Sequence, residues 1–190
     1  MEGRMNMSEF WKNINTYYKR YGLHATIVRI MDKLTGQSRV DYMTWYQKTK
    51  PTKQVLKIQR ETTFPYMPEI LVIVLENKSG FHRLADSLKD QTYSRWKLCK
   101  IRELNDVVEI LKEAKEEYVL ITQPEDELSA DAFFQCVKSL NADRTIEAIY
   151  SDDDIIKNET EYEEPAIKPD LNLDMLRSCN YIHNFLLVKK

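Results

Sequence analysis

Ala148-Ile149-Tyr150-Ser151-Asp152-Asp153-Asp154 is an apolar run that breaks into three consecutive carboxylates, and its reading decides the fold. A short buried strand places Ile149 and Tyr150 inside a sheet and delivers the acids at its carboxyl end, where open α/β sheets leave a crevice for ligands. In an extended chain Asp152 and Asp154 face one way and Asp153 the other, so the first pair has the geometry to share a divalent cation or a hydroxyl-rich ligand. The same residues also fit a solvated acidic turn, because Asp is a common turn residue.

Working back from this stretch, strand-like and helix-like patterns alternate, the signature of βα units around a largely parallel sheet. Ile70 to Leu75 is a continuous apolar strand, and Phe81, Leu84, Ala85 and Leu88 then recur at helical spacing. Trp96, Leu98 and Ile101 predict a second strand with one wet face. Asn105 or Asp106 opens a helix with Val107, Val108, Leu111 and Ala114 inward, and Tyr118 to Thr122 is the third strand. Ser129 is placed to cap the next helix, with Asp131 in its first turn and Phe133, Phe134, Val137 and Leu140 buried. The fourth strand is Ile146 to Tyr150; the acidic stretch Asn158 to Glu164 is expected to be a mobile loop, and Phe185 to Val188 a last strand.

The first third of the chain reads differently. Phe10, Ile14, Tyr17 or Tyr18, and Tyr21 mark one helical stripe ending at Gly22; Leu23, Ile27, Ile30, Met31 and Leu34 mark a second ending at Gly36. Asp41 is a cap for a third helix carrying Trp45, closed by Pro51. Pro65 and Pro68 flank an extended entry, so the expected division is a helical leader over 1–64 and an α/β domain over 65–190.

Charge divides the chain too: residues 1–60 hold 12 Lys and Arg against 4 Asp and Glu, and residues 61–190 hold 16 against 26. A basic front with interleaved aromatics fits an anionic membrane surface, or helices whose aromatics pack inward while the bases stay solvated; nucleic acid is not an expected partner. At 190 residues, 43% hydrophobic and 31% charged, the chain has the composition of an ordinary globular protein. No segment is long and apolar enough to span a bilayer, and the polar start does not resemble a signal peptide. Cys99, Cys136 and Cys179 stand far apart, outside metal-ligand spacing, and read as buried reduced thiols of a cytoplasmic protein.

Several of these stretches together carry a resemblance. Gln91-Thr92-Tyr93-Ser94-Arg95-Trp96-Lys97-Leu98-Cys99 resembles the "QTY.NWELC" segment of family-two glycosyltransferases, the inverting, sugar-nucleotide-dependent enzymes with a GT-A fold. Ile149 to Asp154 is similar to that family's "IYSDEDKI". Pro165 to Asp170, with Asp174-Met175-Leu176 and Asn180-Tyr181-Ile182, is similar to its "P.FKPD...D.L...NYI". The helical front is similar to the leader of such domains in bacterial polysaccharide and rhamnan synthesis proteins.

The resemblance implies a GT-A-like open, mostly parallel sheet flanked by helices, preceded by the leader and incomplete at its carboxyl end. It implies a nucleotide-sugar donor and a glycan acceptor, with the protein in the cytoplasm or peripheral at the inner face of the membrane. Donor-binding positions fall on Glu76 and Asn77, where the family has "P.YN", and on Arg102 and Glu103, where it has a base-contacting Asp. The family's metal motif "DHDDEL" corresponds to Gln123-Pro124-Glu125-Asp126-Glu127-Leu128, so Mg2+ or Mn2+ would fall to Glu125 and Asp126, with Gln123 supplying no charge. Asp152, Asp154 and Lys168 are the crevice candidates, Lys168 also being a candidate internal partner for the acids. No catalytic base is found, since His24, His82 and His183 read as structural or solvent-facing. Two functions follow: a sugar transferase acting on a surface polysaccharide, or a degenerate transferase domain that binds a glycan or a partner enzyme.

Overall fold

The computed structural model describes residues 42–75, 81–158 and 161–190. The chain divides into two compact units, Met1–Lys48 and Thr49–Lys190. The aromatic stripes expected over residues 10–34, and Asp41 as a cap, lie outside the described residues. Helix α1 (Tyr42–Thr49) carries Tyr42 stacked on Trp45, ring centroids 5.6 Å apart, and stops before Pro51, as the sequence pattern predicts.

The second unit begins with a helix that the sequence pattern misses, α2 (Lys53–Glu61). Its apolar stripe is short, but Thr52 caps it by accepting a hydrogen bond from Val55 N at 3.3 Å, and the Thr62 hydroxyl donates to Ile58 O at its other end. The single fully buried side chain of α2 is Gln59, so hydrophobic periodicity has little to register there. Gln59 reaches Thr92 and Asp131, and Phe64 packs on Phe134, so α2 and the segment after it pack onto the α/β part of this unit.

The main sheet has the order β2-β1-β3-β7-β4, from β1 (Ile70–Leu75), β2 (Trp96–Ile101), β3 (Tyr118–Thr122), β4 (Ala148–Tyr150) and β7 (Leu186–Lys189). β1 is parallel to β2 and β3, while β7 runs antiparallel between β3 and β4. β4 therefore points the same way as β1, β2 and β3. The carboxyl ends of all four, together with the entry to β7, line one edge of the sheet.

Helices α3 (Phe81–Lys89) and α5 (Ala132–Ala142) cover one face, packing Leu84, Leu88, Phe133, Val137 and Leu140 against Ile70, Val72, Val74, Leu120 and Leu187. Each of these side chains is essentially removed from water, which contributes about 1.5–3 kcal/mol per large aliphatic residue before chain entropy is set against it. On the other face α4 (Asp106–Glu113) covers Leu71, Ile73, Ile101 and Val119. It does not reach Ile121 or Val188, which stay 46% and 38% exposed although both lie on central strands.

Between β4 and β7 the chain makes a separate excursion. β5 (Asp153–Ile156) and β6 (Tyr162–Ala166) form an antiparallel pair with a register shift between Asp153 and Ile155, followed by α6 (Leu173–Ser178). The mobile loop expected over Asn158–Glu164 is corrected here, because Tyr162, Glu163 and Glu164 belong to β6 and Lys157 N bonds Glu161 O across the turn. Pro165 and a run of glutamates conceal that strand from propensity. Of the thiols, Cys136 is buried, Cys99 half-buried and Cys179 exposed, so the expectation of buried thiols fails for Cys179.

A buried polar network fixes α5 against the α3–β2 turn. Gln91 Oε1 accepts from Phe133 N at 3.1 Å, while its Nε2 donates to Ser129 O at 2.7 Å and Ser87 O at 3.2 Å. The expected Ser129 cap is thus replaced: the N-terminal residue is Asp131, and the orphan helix donor finds the Gln91 carboxamide. Tyr93 completes the turn by donating to Pro68 O at 2.6 Å. Burial of that phenol pushes its pKa up to about 12.

Candidate functional site

The acidic stretch sits where the sequence places it, immediately beyond β4 on the carboxyl edge of the sheet. Lys168 N donates to Asp152 Oδ1 at 2.7 Å, and Lys168 Nζ lies 2.8 Å from Asp153 Oδ2. The same ammonium donates to Ile182 O at 2.7 Å, and its side chain is only 3% exposed. Asp153, expected to turn away from its neighbours' ligand, is thereby the acid that holds Lys168. Asp154 is half-buried within β5.

His183 adds a second nitrogen to the same carboxylate, with Nδ1 3.3 Å from Asp153 Oδ2. Its backbone is in the left-handed region, at φ 57°, a conformation that a non-glycine residue adopts only when its surroundings enforce it. Here the enforcement is visible on both sides: Ile182 O is held by Lys168, and Asn184 Nδ2 donates to Asp126 Oδ1 at 3.3 Å. The segment 182–184 therefore ties the loop after β3 to the acids after β4.

In that β3 loop, Asp126 Oδ2 accepts from Thr122 Oγ1 at 2.7 Å and from Gln123 N at 2.9 Å, closing a turn in which Asp126 N bonds Gln123 O. Glu125 is exposed. Glu127 joins the loop to two other elements, through Arg83 at 3.0 Å and the Tyr162 hydroxyl at 2.8 Å. Among the described residues, no three or more His, Cys, Asp or Glu side chains gather as a metal-holding group. Asp126 is the acid of this motif that is built into the loop, its two oxygens accepting from Thr122, Gln123 and Asn184.

The remaining candidates are not brought to the same place. Glu76 and Asn77 lie outside the described residues. Arg102 and Glu103 follow β2, at the opposite end of the sheet from β4; four inter-strand spacings separate them from the acids, roughly 19 Å. Their backbone N–H groups both donate to Asp106 Oδ2, at 3.3 and 3.2 Å, so this loop is shaped as the entry to α4.

Residues that the sequence reading did not single out as site candidates, His183 among them as structural or solvent-facing, complete the edge. Tyr150 donates its hydroxyl to Pro169 O at 2.7 Å and meets Tyr181 edge-on, with ring centroids 6.1 Å apart. Tyr181 in turn accepts from Asn172 N at 2.9 Å. Asn184 and His183 are the other two, and the only local signal for them is their position directly before a predicted strand.

No protein-family model and no curated protein sequence matches the chain. Among the described residues no helix is long and apolar enough to cross a membrane.

Proposed function

We propose that this chain is a glycosyltransferase-like domain of the GT-A type. The carboxyl edge of its sheet serves the transfer of a sugar from a nucleotide-sugar donor to a bacterial surface polysaccharide or a related glycan, in the cytoplasm or at the inner face of the membrane. The observation that carries the reading is the convergence of the β3 loop and the β4 acids on one sheet edge, fastened by Asn184 and His183. It is supported by an α/β sheet that is mixed, with parallel β2-β1-β3 and antiparallel β3-β7-β4 pairings, and by the segments after β3 and β4 meeting at that edge; the Gln91–Cys99 segment lies at the other, amino edge.

A second reading, a domain of the same fold that binds a glycan or a partner enzyme without turnover, is favoured by one specific observation. Asp126 and Asp153, the acids best placed to meet a charged donor, already have internal partners. Under either reading Glu125 and Asp126 are the carboxylates that would hold Mg2+ or Mn2+, with Asp126 fixed in its loop by Thr122 and Gln123. The deciding experiment incubates the chain with radiolabelled nucleotide sugars, lipid-linked or soluble glycan acceptors and each cation. Label in the acceptor establishes transfer, whereas glycan retention on an array without label transfer establishes the binding domain.

A further inference from the structure

The backbone at His183 is held at three points. Its own N–H donates to Asn180 Oδ1 at 3.4 Å, the carbonyl before it is gripped by the sealed Lys168 ammonium, and the side chain after it is bonded to Asp126. These ties fix the left-handed conformation, and the ring then turns Nδ1 to Asp153 Oδ2, 3.3 Å away. A carboxylate only accepts, so the nitrogen facing it is the one that carries the ring proton, and Nε2 keeps its lone pair. Nε2 has no partner in the protein, and the side chain is 52% exposed. Pairs of a base and its orienting group are often looser before a ligand binds, and 3.3 Å lies within that range.

An imidazole oriented by a carboxylate, with its other nitrogen open at the carboxyl edge of a sheet, has the arrangement of a general base. We propose that His183 accepts the proton of a ligand hydroxyl at this edge, with Asp153 as the positioning residue that sets its tautomer. The charged groups brought to the segment are already engaged. Lys168 shares Asp153 Oδ2 and is fixed on Ile182 O, Asp152 accepts from Lys168 N, and Asp126 accepts from Thr122, Gln123 and Asn184. The imidazole nitrogen is the open acceptor in this group.

For its chemistry the proposal rests on the transferase reading. As the acceptor hydroxyl gives its proton to Nε2, the oxygen's electron pair forms the bond to the anomeric carbon of the donor sugar. The bond from that carbon to the nucleoside diphosphate breaks, its electron pair leaves on the diphosphate, and the imidazolium returns its proton to water.

The first test needs no substrate: long-range proton–nitrogen NMR of the full chain carrying 15N-labelled histidine, at neutral pH. The His183 ring, assigned by its loss in His183→Asn, is expected as the Nδ1–H tautomer; Asn is chosen because it tolerates the left-handed backbone. That variant, matched to the unaltered chain by thermal melt, then enters the nucleotide-sugar transfer assay and the glycan array. Its kcat is expected to fall by about 100-fold or more at unchanged KM for the acceptor, and the acid limb of the pH profile to disappear. The Nε2–H tautomer overturns the proposal, as does a variant that transfers sugar and retains glycan like the unaltered chain. If the unaltered chain transfers nothing but retains glycan, and His183→Asn does not, the hydroxyl contact stands and the transferase reading falls.

Discussion

The Lys168 ammonium lies 2.8 Å from Asp153 Oδ2, and the two side chains differ in access to water, at 3% and 30% exposed. That asymmetry makes the two halves of the pair unequal to remove. Asp153→Asn leaves a sealed ammonium without its counter-charge, whereas Lys168→Met leaves a carboxylate that water and His183 still reach. Breaking a buried pair by deleting one partner costs about 3–5 kcal/mol, so Asp153→Asn is expected near the lower end of that range and Lys168→Met below it. Urea unfolding of both variants checks the order, and the reverse order contradicts it. Asp152→Asn keeps an oxygen for Lys168 N and is expected to cost less than either.

Gln91 is the second mechanical centre. Replacing it with Leu leaves Phe133 N without its acceptor and removes two donated bonds, to Ser129 O and Ser87 O, inside the fold. An unsatisfied buried donor costs about 1–3 kcal/mol, and Gln91→Leu is expected at or above the upper value. Gln91→Glu keeps the acceptor and should be milder at low pH than at neutral pH. Thermal melts at both pH values measure the difference, and equal losses at the two would contradict it.

The donor prediction follows from what the edge residues already do. With Asp126 engaged by Thr122, Gln123 and Asn184, and the Arg102–Glu103 backbone turned to Asp106, binding of uridine or thymidine diphosphates with Mg2+ or Mn2+ is expected to be weak or absent. Titration calorimetry with each nucleotide and cation decides this, and micromolar affinity is the contrary result.

At the opposite edge of the sheet, Glu116 is almost fully buried and accepts from Lys97 at 2.6 Å and from Lys115 N at 3.0 Å. The Lys97 hydrogen bond, above all, holds its carboxyl below the usual range, and Lys97 is correspondingly raised. A carboxyl depressed in the folded state stabilises the fold above its unfolded pKa, about 4.3 for Glu, and that stabilisation is lost as pH falls through the folded value. The raised Lys97 works in the other direction, its contribution being present at neutral pH and lost as strong alkali titrates the amine. Glu116→Gln is therefore expected to flatten the acid limb of the stability profile below about pH 4.3. Chemical unfolding from pH 7 to pH 3 measures that slope.

The sequence reveals β1, β2 and β3 because apolar runs flanked by helical periodicity have few other folds, and Ile70–Leu75 and Tyr118–Thr122 fall on the residues that the pattern marks. It conceals α2 because the residue that α2 buries is Gln59, and β6 because Pro165 and three glutamates fill or flank it. The site shows a similar division. Asp152, Asp153 and Lys168 can be picked out as acids and a base in one domain, but which acid meets the ammonium depends on the Asp153–Ala166 pairing and the register shift beside it. No spacing rule encodes the Asn184 to Asp126 contact, which spans 58 residues and exists only once β7 lies beside β3.

β7 also governs the order in which the fold can be assembled. It is the last strand of the described chain, yet it occupies an interior place in the sheet, joining Leu120 of β3 on one side to Ile149 of β4 on the other. As a ribosome releases this chain, β1, β2 and β3 can pair at once, but β4 has no partner until residues 186–189 emerge. The excursion that carries Lys168 is thus held in waiting. Long-range closure of this kind slows folding and leaves a strand edge open to other chains in the interval, so a nascent chain halted before Leu186 would be the form most in need of a chaperone.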